Sequence, residues 1–226
     1  MRLRKKSNIN EKIIKFNDII INADTDINDA NKGHWRNLWV NSVDSADSVS
    51  NADRHLFIEL GTGKGDFISQ TAELNKNIYF LGLEMESTVL YAAAKKIREK
   101  DLTNVRLLIF DINNIEDIFD ENEVDRIYIN FCDPWPKKRH AKRRLTHIRF
   151  LDKYRRILVP NGEIHFKTDN RGLFDFSLEQ FELANLNVSD ITYDLHADNL
   201  AGNVETEYEK KFSSLGVPIC RCVVKF

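Results

Sequence analysis

Leu56-Phe57-Ile58-Glu59-Leu60-Gly61-Thr62-Gly63-Lys64-Gly65-Asp66-Phe67 is the stretch on which the fold turns. Its first five residues, four of them apolar, read as a buried strand, and the amphipathic pattern from Asp66 predicts a helix over 66–74. Between them, three glycines at alternate positions allow positive φ and let a ligand approach the backbone closely. The spacing is GxGxG, one residue short of the dinucleotide fingerprint, and Lys64 precedes Gly65 without the glycine, lysine, Ser/Thr order of a P-loop. A pyrophosphate is therefore not the first choice of ligand. On the loop alone, a plain strand-to-helix turn is an equal reading.

Working outward, short apolar runs alternate with longer amphipathic stretches. Leu56–Leu60, Ile78–Leu83, Val105–Phe110, Arg126–Phe131 and Glu163–Lys167 read as strands, with helical patterns near 66–74, 86–100, 146–158 and 171–185. The connection around Ile112–Phe119 is weaker and reads as no more than a helical turn. Val188–Leu195 and Pro218–Phe226 read as a closing antiparallel edge pair, joined by a link, 196–216, long enough to reach over a binding face. The alternation predicts an α/β sandwich. Residues 1–54, rich in Asn, Asp and Ser, are expected to form a partly mobile extension ahead of one domain at 55–226, with Asp44–Asp53 as a linker. Trp35 and Trp39, at i, i+4 spacing inside that extension, are expected to dock on the core rather than to stack on bases.

The composition suits one ordinary domain: 226 residues, 42% hydrophobic and 30% charged. The longest apolar run, Ile78–Leu83, is far below the roughly 18 residues of a membrane span, and the basic start Met1–Lys6 leads into no apolar core of a secretory signal. No membrane association is expected, and the cytoplasm is the expected location. Cys132, Cys220 and Cys222 show no CxxC spacing and suit neither a disulfide framework nor a zinc site, so no metal is expected. Net charge is −2, yet Lys137, Lys138, Arg139, Lys142, Arg143, Arg144 and Arg149 form a run without an acid. Without those seven charges the remainder stands at −9, so an otherwise acidic chain carries one concentrated basic patch.

Acids at successive strand ends sharpen the reading of the loop. Glu59 closes the first strand within reach of an ammonium. Glu84 follows the second, about twenty residues past the loop, where a carboxylate accepts from both ribose hydroxyls. Asp111 follows the third, placed to accept from an adenine amino group, although it also reads as a helix cap. All three converge on the carboxyl edge of a parallel sheet, where open α/β folds bind ligands. A cationic amino acid, a ribose and an adenine in one molecule describe S-adenosyl-L-methionine.

The fourth strand runs into Asn130-Phe131-Cys132-Asp133-Pro134-Trp135-Pro136, then into the basic run. Two prolines around a tryptophan stiffen the chain after Asp133. This presents a carboxylate beside the cofactor and sends cations outward, an arrangement better explained by phosphate contacts than by a solvated face.

DPWPKKRHAKRRL, with ELGTGKG, GLE, FKTDN and TEYEKKFSSLGVPI, resembles the bacterial tRNA (guanine-N7-)-methyltransferase family over Leu56–Phe226. The resemblance implies a class I, Rossmann-like three-layer α/β fold with seven strands, mostly parallel, the last antiparallel. It implies methylation of guanine 46 in the tRNA variable loop, with no obligatory protein partner inferred. By motif it places Glu59, Gly61, Gly63, Glu84, Asp111 and Asp133 at S-adenosyl-L-methionine, with Asp133 also catalytic. Lys137, Asp169, Thr206, Glu207, Tyr208 and Glu209 would meet the substrate, and Arg139, His140, Ala141, Lys142, Arg143 and Arg144 the RNA. Cys132 stands where a small residue such as serine is usual, and Asn161 replaces a glycine of the usual PGG turn.

The chemistry agrees with this residue set. Guanine N7 is an acceptor with a free lone pair, so it can attack a sulfonium methyl without prior proton removal, and no catalytic His or Cys is required. Alignment and negative potential near a purine that becomes cationic are what such a site must supply. Asp133, Asp169 and Glu209 are candidates for the latter and for accepting from guanine N1–H and its amino group. Thr206-Glu207-Tyr208-Glu209 reads equally as a helix N-cap with acids in the first turn. Three alternatives stay open on sequence: an amino-methyltransferase on adenine or cytosine, a silent RNA-binding subunit and, more remotely, a nicotinamide-dependent oxidoreductase.

Overall fold

The computed structural model describes residues 9–22, 32–42, 54–198 and 203–226. In chain order the elements are α1 (Ile9–Ile14), β1 (Ile20–Asn22), β2 (Leu56–Leu60), α2 (Asp66–Leu74), β3 (Tyr79–Glu84), α3 (Ser87–Glu99), β4 (Val105–Ile109), α4 (Ile115–Ile118), β5 (Val124–Asn130), α5 (Ile148–Ile157), β6 (Leu158–Thr168), α6 (Arg171–Leu183), β7 (Asn187–Thr192), α7 (Glu207–Ser214) and β8 (Cys220–Lys225). The strands form one sheet in the order β1-β4-β3-β2-β5-β6-β8-β7. Strand β8 runs antiparallel to both of its neighbours, and the other pairings are parallel.

Every residue of β2 is buried, because the sheet is covered on both faces. Phe57, Phe80 and Leu107 pack under Phe67 and Ala72 of α2 and Leu90 and Ile97 of α3. On the opposite face Ile58, Leu81, Ile127 and Phe166 meet Phe150 and Tyr154 of α5 and Phe174 and Phe181 of α6. The result is a three-layer sandwich with β2 and β5 at its centre.

Among the described residues the sheet has eight strands, one more than the expected seven, and the addition comes from the N-terminal extension. Ile20–Asn22 pairs parallel with β4, Ile20 opposite Leu107, and the Leu107 N–H donates to the Ile19 carbonyl at 2.8 Å. A three-residue strand among Asn and Asp leaves almost no periodic signal. The open edge of β4, with its unpaired backbone groups, supplies the reason for it to form. Strand β6 also begins earlier than expected, and its pairing with β5 carries a register shift between Val124 and Arg126.

Trp35 and Trp39 lie on a 3-10 helix, Trp35–Ser42, and both are fully buried. The Trp35 indole donates to the Ile118 carbonyl at 2.6 Å, while Trp39 stacks on Tyr79 with ring centroids 4.5 Å apart. Beneath them the buried Glu123 carboxylate accepts from the backbone N–H groups of Gly33, Trp35 and Asp120, satisfying donors that the irregular entry would otherwise strand. The expected linker Asp44–Asp53 lies outside the described residues.

Candidate active site

The carboxyl ends of β2, β3 and β4 gather the three strand-end acids. Gly61 N–H and Thr62 N–H both donate to the Leu83 carbonyl, which folds the glycine turn over the end of β3. Gly61 and Gly65 both have φ of +77°, but their surroundings differ. A Cβ on Gly65 would meet the Cβ of Ala93 at 2.7 Å, whereas one on Gly61 would project into open space. Gly65 is thus required by helix packing, and Gly61 leaves room for a ligand.

Glu84 accepts from the N–H groups of Gly63 (3.1 Å), Met85 (2.9 Å) and Glu86 (3.0 Å), so its carboxylate is fixed in direction before anything binds. Asp111 caps the short turn after β4, accepting from Asn113 N–H at 2.9 Å through one oxygen, and lines the cleft as well. Glu59 is buried; one oxygen accepts from the Asn130 amide at 3.0 Å and the other has no hydrogen-bond partner among the described residues. Burial pushes its pKa up to about 8, against the opposing pull of Asn130, Thr62 and Lys167. A buried acceptor without a donor is what an incoming ammonium would satisfy. Gly61, Glu84, Asp111, Phe131, Asp133 and Trp135 line the adjoining cleft, of about 340 Å³. These residues fit S-adenosyl-L-methionine: a waiting acceptor, an oriented carboxylate and a glycine with open space above it. A larger cavity, about 410 Å³, opens on the α2 face beside Tyr128 and His165, and no carboxylate among the described residues lines it.

At the end of β5, Phe131 (φ +51°) and Trp135 (φ +40°) bracket Asp133 in the left-handed region. Side chains of this size rarely adopt it, so the surrounding contacts must hold the turn. The ring of Phe131 packs on Tyr208 at 4.8 Å. Arg144 donates to the carbonyls of Pro134 (3.0 Å) and Trp135 (3.1 Å), and the Arg143 guanidinium lies 4.8 Å from the Trp135 ring. Asp133 stands exposed at the cleft. Burial, reinforced by the neighbouring Asp133, pushes the Cys132 thiol up to about 12, so it stays protonated and inert.

The basic run folds as a 3-10 helix, Lys138–Arg143, preceded by Lys137. Lys137, Arg139, Lys142 and Arg143 are exposed, His140 and Ala141 half-buried. Arg144 is turned inward against the Asp133 loop, unlike its neighbours.

Behind Phe131, the Tyr208 hydroxyl donates to Asp169 at 3.3 Å, which unites two of the expected substrate residues. Thr206 caps α7, its hydroxyl accepting from Glu209 N–H at 3.0 Å, and Glu207 is the first residue of that helix. Glu209 is fully buried, with Lys167 and Asn203 as its partners. Sequence reasoning passed over Asn130, which holds Glu59, and Lys167, which holds Glu209. A lysine beside Phe166 at the carboxyl end of a strand was the available signal for the second.

An open parallel sheet with this acid set at its carboxyl edge defines a methyltransferase that takes its methyl group from S-adenosyl-L-methionine. A family model described as "Putative methyltransferase" matches residues 53–222. The tRNA (guanine-N(7)-)-methyltransferase of Bacillus subtilis (strain 168) is 43% identical over 226 residues, covering 100% of this chain and 99% of that protein. The protein of the same name from Geobacillus sp. (strain WCH70) is 44% identical, covering 100% and 96%. Among solved structures, a 16S rRNA methyltransferase superposes with a TM-score of 0.57 at 12% identity, covering 80% of this chain and 95% of that one, a likeness of fold alone. The chain belongs to the tRNA (guanine-N7-)-methyltransferase family.

Proposed function

We propose that this protein methylates N7 of the guanine at position 46 in the variable loop of tRNA. The observation that carries the reading is one cleft lined by Gly61, Glu84 and Asp111 on one side and by Asp133, Trp135 and Arg143 of the basic helix on the other, with Phe131 in its lining packed on Tyr208, which in turn bonds Asp169. Glu59 would hold the cofactor ammonium, Glu84 the ribose hydroxyls and Asp111 the adenine, with Gly61 and Gly63 allowing close approach. When bound, S-adenosyl-L-methionine supplies an electrophilic methyl on sulfur.

The chain's own task is alignment. N7 needs no base, so Asp133 orients the purine and places negative potential beside a ring that gains positive charge as the bond forms. Asp169 and Tyr208 form the opposite wall of the purine site, with Lys137 at the cleft mouth and Thr206 setting the start of α7. Exposed Arg139, Lys142 and Arg143, with His140 and Ala141, carry the RNA backbone. Arg144 supports the Asp133 loop from behind. Within the described residues no helix is long and apolar enough to cross a membrane, and action on tRNA makes the cytoplasm the proposed location.

Replacing guanosine 46 with 7-deazaguanosine tests the reading, because N7 becomes C–H while the Watson–Crick edge is unchanged. Methyl acceptance is expected to vanish while tRNA binding persists. Undiminished acceptance would move the reaction to another atom, as the amino-methyltransferase alternative requires.

A further inference from the structure

Lys167 and Glu209 form an ion pair in the interior, with side chains 6% and 0% exposed and Nζ 2.8 Å from Oε2. The Lys167 ammonium also donates to Asn203 Oδ1 (3.0 Å) and to the Val204 carbonyl (3.1 Å), which uses all three of its hydrogens. Asn203 closes the ring by donating to Glu209 Oε1 at 2.6 Å. His196 and Glu205 gather beside it, but Glu209 already has Lys167 as its cation. Both oxygens of Glu209 are therefore engaged in the interior, while Tyr208, one residue away on α7, faces outward onto Phe131 and Asp169.

We propose that Glu209 serves guanine methylation as a positioning residue, paired with Lys167, and that this pair locks α7 to the sheet so that Tyr208 and Asp169 stand at the purine. The pair joins the end of β6, which carries Asp169 two residues on, to the first turn of α7, which carries Tyr208. It thus sets the distance between the two residues that form one wall of the site. Its cost is that of any buried pair: removing one partner strands a charge, while neutralising both does not. The proposal rests on the guanine-N7 reading above and refines it.

The test is a double-mutant cycle of Lys167→Met and Glu209→Gln, read by single-turnover methylation of tRNA, by tRNA affinity and by thermal melting. Each single change is expected to lower turnover at least about tenfold, and the double variant to recover about tenfold over Glu209→Gln, with tRNA affinity within about threefold of wild type throughout. A double variant no faster than Glu209→Gln, with Lys167→Met near wild type, would overturn the lock and make Glu209 a direct guanine contact. Should Lys167→Met fail to melt cooperatively, the comparison of the double variant with Glu209→Gln still decides. If wild-type protein makes no 7-methylguanosine the parent reading fails; if it does and the losses multiply, only the lock fails.

Discussion

The ends of β3 and β5 do complementary work with opposite backbones. At the end of β3, Glu84 is held by the N–H groups of Met85 and Glu86 beside it and by that of Gly63 from the turn after β2, a turn in which glycine absorbs every positive φ. At the end of β5, two aromatic residues occupy the left-handed region and are kept there by side chains of other segments, the remote Tyr208 for Phe131 and Arg143 and Arg144 of the basic run for Trp135. The cofactor side is therefore set by backbone groups of two adjacent strand ends and stands ready without RNA. The substrate side is set by side-chain packing, part of it from the remote α7, so its precision depends on contacts that sequence neighbours do not make.

The largest expected effect separates the two halves outright. Asp133→Ala should lower the rate of methyl transfer by about 10²–10³, the usual cost of an electrostatic contact made in the transition state, with tRNA affinity changed far less. Unchanged turnover would remove Asp133 from the mechanism and dissolve the distinction.

A smaller effect probes the cofactor side through protons. The pKa of Glu59 stands near 8 in the folded protein against an ordinary 4.5, from burial first. Binding an ammonium requires the carboxylate, so S-adenosyl-L-methionine affinity should tighten by about tenfold per unit as pH rises from 6 toward 8. Glu59→Gln should bind weakly with no such slope; calorimetry in buffers of different ionisation enthalpy would show the proton released by wild type alone. The stability sign follows from the same shift. A raised folded-state pKa gives stability that is full below about pH 4.5 and lost as pH climbs to 8, so cofactor-free Glu59→Gln should melt higher than wild type at pH 8 and not at pH 4.

The smallest effect concerns the outer rim. Arg139→Ala with Lys142→Ala should flatten the salt dependence of tRNA binding by about 0.7–0.9 in log–log slope for each lost phosphate contact, leaving cofactor affinity unchanged. Arg144→Ala should instead lower turnover more than binding, since its guanidinium braces the Pro134 and Trp135 carbonyls. Equal salt slopes for both variants would place Arg144 on the RNA.

This contrast also explains what the sequence reveals. Strand β2 and helix α2 are legible because one apolar run, three glycines and one amphipathic period are local signals, and Glu59, Glu84 and Asp111 follow from their places at strand ends. Strand β1 is not legible: three residues carry no period, and the reason they pair is the free edge of β4, more than 80 residues on. The inward turn of Glu209 is hidden for a related reason. The string Thr206–Glu209 shows a cap and acids, but the direction of the last acid is decided by Lys167, which another strand supplies.

The most direct measurement is nucleoside mass spectrometry, with positional mapping, of unmodified tRNA incubated with the purified protein and S-adenosyl-L-methionine. The account predicts 7-methylguanosine at position 46 of the variable loop. N6-methyladenosine or a methylated cytosine in its place, or cofactor binding with no methylated product, would contradict it.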